Sequence, residues 1–132
     1  MNAGQIVLLT TYLYLLSSAV LVGSGVLLFR RKVGPNKLFG LRTKLTMSDD
    51  EIWFAANQVA GRWLIITGIG TAASAAAGIL GGMNGAKTAM LVMGVMLTGV
   101  SRCVAASLAE QRRVVEERDR TGTHDVEAHR QV

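Results

Sequence analysis

Five side chains of this sequence can do binding chemistry together: Asn36, Arg42, Glu51, Trp53 and Asn57. Arginine offers a fork of donors to a phosphate or a carboxylate. Glutamate is its natural counter-charge. The two carboxamides can each donate and accept, and indole can stack or donate. None of the five is a nucleophile held beside a base, so the set suits recognition better than catalysis. The carboxylates Asp49, Asp50 and Glu51 are consecutive, and a helix would point them to different sides, which is poor for holding a metal. His124 and His129 are five apart and do not share a helical face. Cys103 is the one cysteine and can form no disulfide within the chain. No catalytic residue, metal or cofactor is expected.

The elements that must position these residues are membrane helices. Positions 6–29 carry no charge for 24 residues and run into Arg30, Arg31 and Lys32. Such a helix is about 36 Å long, enough to cross a hydrocarbon core of roughly 30 Å. Two further apolar stretches follow, and no period-two alternation suggests strands. The expectation is an all-α integral membrane protein with three spans, at about 6–29, 56–80 and 87–108. Residues 1–110 then form one membrane domain, and 111–132 a charged tail. No ionisable residue falls in the middle of a span, which argues against a coupled pump. The first run lacks a basic start and is too long for a signal peptide's apolar core.

The net charge of +5 does not point to nucleic acid, because of where it sits. Residues 30–62 hold seven basic and three acidic side chains, the tail from 110 five and six. The basic excess lies beside the membrane, where anionic lipid attracts it. Basic flanks mark the cytoplasmic side. This places the N-terminus outside, the first loop inside, the second hairpin outside and the tail inside. Arg62 and Arg102 stand near the inner end of their spans and can reach headgroups.

The first loop is the most specific text. Gly34, Pro35 and Asn36 form a turn, and proline should end the first helix near Val33. Gly40 allows a second unusual backbone angle. Ser48 with Glu51 matches a capping box, with Met47 and Ile52 as its hydrophobic staple. From there one helix should run into span two, with Trp53, Asn57 and Gly61 on one face. Gly70, Ser74, Gly78 and Gly82 repeat at four-residue spacing along that span. In lipid such a stripe supports close helix contact, which places span two between the others. In span one, Gly23, Ser24 and Gly25 permit the same. The methionines of span three read as packing or lipid-facing surface. After Ala109 the helix should continue for two or three turns, and residues 121–132 read as disordered.

The loop and the helix start after it resemble the SdpI family of bacterial membrane proteins. The resemblance rests on Lys32, Gly34, Pro35, Asn36, Phe39, Gly40, Arg42, Thr43, Ser48, Glu51, Trp53, Asn57 and Gly61. The family's namesake has six spans. It protects a cell from its own secreted peptide toxin and holds a transcriptional repressor at the membrane. The motif lies in that protein's C-terminal half, which this chain resembles. The resemblance implies a binding role for Asn36, Phe39, Gly40, Arg42, Thr43, Glu51, Trp53 and Asn57. Gly34, Pro35, Ser48 and Gly61 would support the backbone. Arg42 can pair with Glu51 or a lipid phosphate, and Trp53 can pack over Gly40.

Two readings of function stay open at this point. The first is immunity to a secreted antimicrobial peptide, or signalling by capture of a cytoplasmic regulator, in the bacterial cytoplasmic membrane. The second is a small oligomeric pore or transport-accessory protein, its small-residue stripe serving a homo-oligomer. The motif residues themselves either bind a ligand or only fold the loop.

Overall fold

The computed structural model describes residues 2–36, 38 and 40–130, the backbone alone at 3 and 122–130. Among them are four helices and no strand: α1 (Ala3–Phe29), α2 (Lys44–Ser48), α3 (Asp50–Leu80) and α4 (Gly85–Arg130). The helices α1, α3 and α4 are each long and apolar enough to cross a membrane. The protein is an all-α membrane protein.

Each long helix starts and stops for a local reason. Asn2 caps α1, its side chain accepting the Gln5 N–H while the Gln5 side chain accepts the Asn2 N–H, both at 2.9 Å. The same helix ends at Phe29, four residues before the position expected from Pro35. Arg31 adopts a left-handed φ of 54°. Its N–H then donates to Leu28, and the Lys32 N–H to Leu27, closing a Schellman turn before proline can act. A matching turn ends α3: Gly82 has φ 62°, and Met83 donates back to Gly78. Asn84 then caps α4 through the Lys87 N–H at 2.9 Å.

Both α1 and α4 pack along α3, which is the central helix. Toward α1 the contact is backbone on backbone. A methyl group added at Gly61 would come within 2.6 Å of the Gly25 carbonyl oxygen, and one at Gly68 within 2.9 Å of the Ser18 carbonyl oxygen. The Ser18 hydroxyl donates to the Gly68 carbonyl at 2.7 Å. Toward α4, Gly78 faces Thr88, Gly70 faces Val95, and Gly99 of α4 faces Thr67. With no hydrophobic force between helices in lipid, such close backbone approach is what dispersion requires.

The stripe of small residues is therefore only partly the packing surface. Gly70 and Gly78 serve it. Gly82 does not, because it stands past the helix end as the left-handed turn residue with nothing within 4 Å. Gly23 faces open space, whereas Gly25 meets α3. The tail also differs from expectation. It continues α4 without a break through Arg130 in place of an irregular stretch from Thr121. Once a helix is nucleated, each further residue adds a hydrogen bond at little extra cost, and no proline interrupts this one.

Candidate functional site

The described part of the chain from Val33 to Ser48 folds back over the first turns of α3 and meets α4. What holds it there is a small set of buried polar side chains. Trp53 is wholly buried, and its indole N–H donates to the Val33 carbonyl at 3.1 Å. One turn on, Asn57 is buried at 1 % exposure. Its Oδ1 accepts the Leu41 N–H at 2.6 Å, and its Nδ2 donates to Trp53 O at 3.0 Å. Gly40, at φ 89°, lies directly against that carboxamide. Any side chain there would collide with Asn57 and would also sit in a backbone region L-residues avoid. Asn57 is thus the residue directly beneath Gly40.

Thr43 and Thr46 form a reciprocal cap on α2. The Thr46 N–H reaches Thr43 Oγ1 at 3.1 Å, and the Thr43 N–H reaches Thr46 Oγ1 at 2.8 Å. Thr46 is fully buried, and its hydroxyl donates to Leu41 O at 2.9 Å. A single turn of helix could not persist alone; here both caps and burial hold it. Ser48 does not cap α3. It ends α2, and its hydroxyl donates to Leu45 O at 3.0 Å. The cap is Asp49, whose Oδ1 accepts from the Glu51 and Ile52 N–H groups at 2.9 and 3.1 Å. The frame has moved by one residue because Thr43 starts a helix that uses Ser48 up. The expected staple is lost with it, since the residue before the new cap is the polar Ser48; Ile52 is buried, while Met47 is 41 % exposed.

The far part of α4 closes the unit from the side. The Thr43 hydroxyl donates to Gln111 Oε1 at 2.8 Å, and Gln111 is buried. Seven residues on, Arg118 forks onto two carboxylates, Asp49 at 2.5 Å and Glu51. Glu51 therefore meets Arg118 rather than Arg42. The Arg118 guanidinium, and after it the Ile52 N–H, hold the Asp49 carboxyl below the usual carboxylate range, outweighing the loss of water around it. Arg42 is exposed on the outer side of the unit. Asn36 folds its own turn, donating to Gly34 O and accepting the Leu38 N–H, both at 2.8 Å. Gly34 and Pro35 are exposed in that turn. Phe39 and Lys37 lie outside the described residues.

Thr46, Gln111 and Arg118 join the unit without having been singled out in the sequence. The T-x-x-T spacing of 43–46 was a signal for the first. The other two are held across more than 65 positions, which leaves no local trace.

Below this unit two arginines sit on aromatic rings. The Arg62 guanidinium lies 5.4 Å from the Phe29 ring centre, and that of Arg102 lies 6.0 Å from Trp63. Cations over aromatic faces at the end of apolar spans mark the headgroup level. A cavity of about 230 Å³ opens beside them, lined by Leu28, Leu41, Leu64, Cys103, Val104 and Ser107, among others. The Cys103 thiol donates to Ala60 O at 3.6 Å.

Among the described residues the arrangement presents no nucleophile and base in reach of one another. It is a folded, internally bonded platform at one end of three helices, with its charges on the outside. No curated protein and no solved structure matches the chain. A family model does match, over residues 32–106, which begins with the loop and takes in the whole of α3 and most of the apolar part of α4. On that match the chain belongs to the SdpI/YfhL protein family.

Proposed function

We propose that this protein guards a bacterial cytoplasmic membrane against a secreted antimicrobial peptide, or captures a regulatory partner there, through the platform of residues 33–51. The observation that carries the reading is the coincidence of two facts. The family match begins at the loop. The described part of the same loop is held in shape by hydrogen bonds to buried Trp53, Asn57 and Thr46. A linker that only joined two spans would need no such shape, whereas a recognition surface gains from being ordered before its partner arrives. In this reading Arg42 is the exposed contact, while Asn57, Thr46 and Trp53 hold it in place. Asn36, Gly40, Thr43 and Glu51 shape the surface. The basic flanks of α1 and α4 support an inside position for the loop, with the N-terminus outside.

The test is expression in a peptide-sensitive bacterium. Survival at peptide concentrations that kill the control strain supports immunity. A partner retained in mild detergent and lost in Arg42→Ala supports capture. Growth arrest with membrane depolarisation would instead favour a pore. Arg42→Ala leaving resistance, capture and folding all unchanged would remove Arg42 from the account. Reporter fusions that place the loop outside would overturn the topology.

A further inference from the structure

The cavity at the foot of the platform is a different feature from the platform's outer face. Its lining residues alternate with the belt that marks the headgroup level. Leu28 precedes Phe29, Leu64 follows Trp63, and Cys103 follows Arg102. The cavity therefore sits at the boundary between headgroups and acyl chains. It is roofed by Gly40 and Leu41 and walled by α1 and α4, which scarcely touch each other. It is thus open sideways to lipid. Its volume of about 230 Å³ falls below the roughly 300–1,000 Å³ of small-molecule sites, which suits one alkyl chain rather than a whole ligand.

Charge selects among the lipids. No acidic residue occurs among the first 48 positions, or between Ile52 and Ala109. Of the three carboxylates between, Asp49 and Glu51 are matched by Arg118. In sequence, Arg42 directly follows the roof residue Leu41; Arg30, Lys32 and Arg31, which donates to Gln58, come within four residues of Leu28; and Glu110, three residues after Ser107, is matched by Arg113. We propose that this cleft holds one acyl chain of an anionic phospholipid, with its phosphate drawn to the basic residues at the loop. The site does not depend on peptide immunity or partner capture, and either can fail without the other.

The experiment uses the full chain reconstituted in equimolar phosphatidylglycerol and phosphatidylcholine, re-extracted in mild detergent and weighed by native mass spectrometry. The expected result is one retained phosphatidylglycerol, with phosphatidylcholine at a tenth or less. Val104→Trp, at a half-exposed position in the cavity wall, should reduce retention at least tenfold. Val100→Trp, equally exposed one turn away, should leave it unchanged. Equal retention of both lipids, no retained lipid, or no difference between the two variants would overturn the proposal. Should Val104→Trp not fold, the native thiol reports instead. Phosphatidylglycerol added to the unsubstituted protein in detergent should slow alkylation of Cys103 by N-ethylmaleimide at least fivefold, and phosphatidylcholine or inorganic phosphate should not. No slowing by phosphatidylglycerol, or slowing only by an apolar peptide, would sink the idea.

Discussion

Asn57 holds Leu41 from beneath: its Oδ1 accepts the Leu41 N–H at 2.6 Å, across sixteen positions of chain. The loop's backbone is thereby satisfied by α3 instead of by water. Removing that acceptor leaves a part-buried N–H without its partner, which costs up to about 1–3 kcal/mol. Asn57→Ala should therefore lower the melting temperature in detergent by several degrees. Gly40→Ala should do at least as much, because it meets both the left-handed backbone angle and the Asn57 carboxamide. The two share one collision, so the double variant should cost less than the sum. Additive losses in a thermal-melt cycle would show that Gly40 and Asn57 do not act on each other.

The α1–α3 contact makes a second prediction. Gly61 lies against the backbone of Gly25 and Phe29, whereas Gly94 of α4 faces open space. Gly61→Leu forces the helices apart at the point where lipid gives no other reason to stay together. The expected outcome is loss of the folded-protein peak in size-exclusion chromatography. Gly94→Leu should elute as wild type. A wild-type profile for Gly61→Leu would mean that the two helices are not held by backbone proximity.

These contacts show what could be read from the sequence. Uncharged runs of helical length announce α1, α3 and α4, because lipid forces every backbone group to be satisfied within the helix. The placing of Trp53, Asn57 and Gly61 on one face followed from the helical period, and all three are buried there. Ser48 was the right residue type at the right spacing for a cap. Asp49 took the position because Thr43 had already begun a helix. Gly82 was the right residue for a different reason, a turn in place of a stripe. Arg118 could not have been found, since a charge in a mixed-sign tail looks the same whether it meets Asp49 or water.

The Arg118 fork should respond to pH with a definite sign. The Asp49 carboxyl is held below its ordinary value by Arg118 first and by the Ile52 N–H next. A group depressed in the folded state stabilises it above the unfolded value of about 4 and loses that contribution as pH falls through the folded value. Docking of the outer part of α4 should thus be constant from pH 7 to about 5 and weaken below about 4. Protection from hydrogen exchange at residues 110–121, taken relative to the intrinsic amide rate at each pH, should fall in that acid range. Arg118→Ala should show the lower protection already at neutral pH and little further change on acidification. Wild-type protection that stays constant down to pH 3 would show that the fork does not hold the helix.

The last contact to test is the one that joins the loop to α4 directly. Thr43 does two tasks with one side chain: it caps α2 and donates to Gln111 at 2.8 Å. Thr43→Val removes both. Gln111→Leu removes only the second and keeps the bulk of a buried side chain. Thr43→Val should therefore cost about 1–2 kcal/mol, as lost caps do, and Gln111→Leu less. Their coupling in a double-mutant cycle should be about 0.5–1.5 kcal/mol, the value of one neutral hydrogen bond. If the platform recognises a partner, Gln111→Leu should weaken capture although its side chain lies behind the exposed face. Zero coupling, with capture intact in Gln111→Leu, would mean that the platform stands on α3 alone and that α4 merely passes beside it.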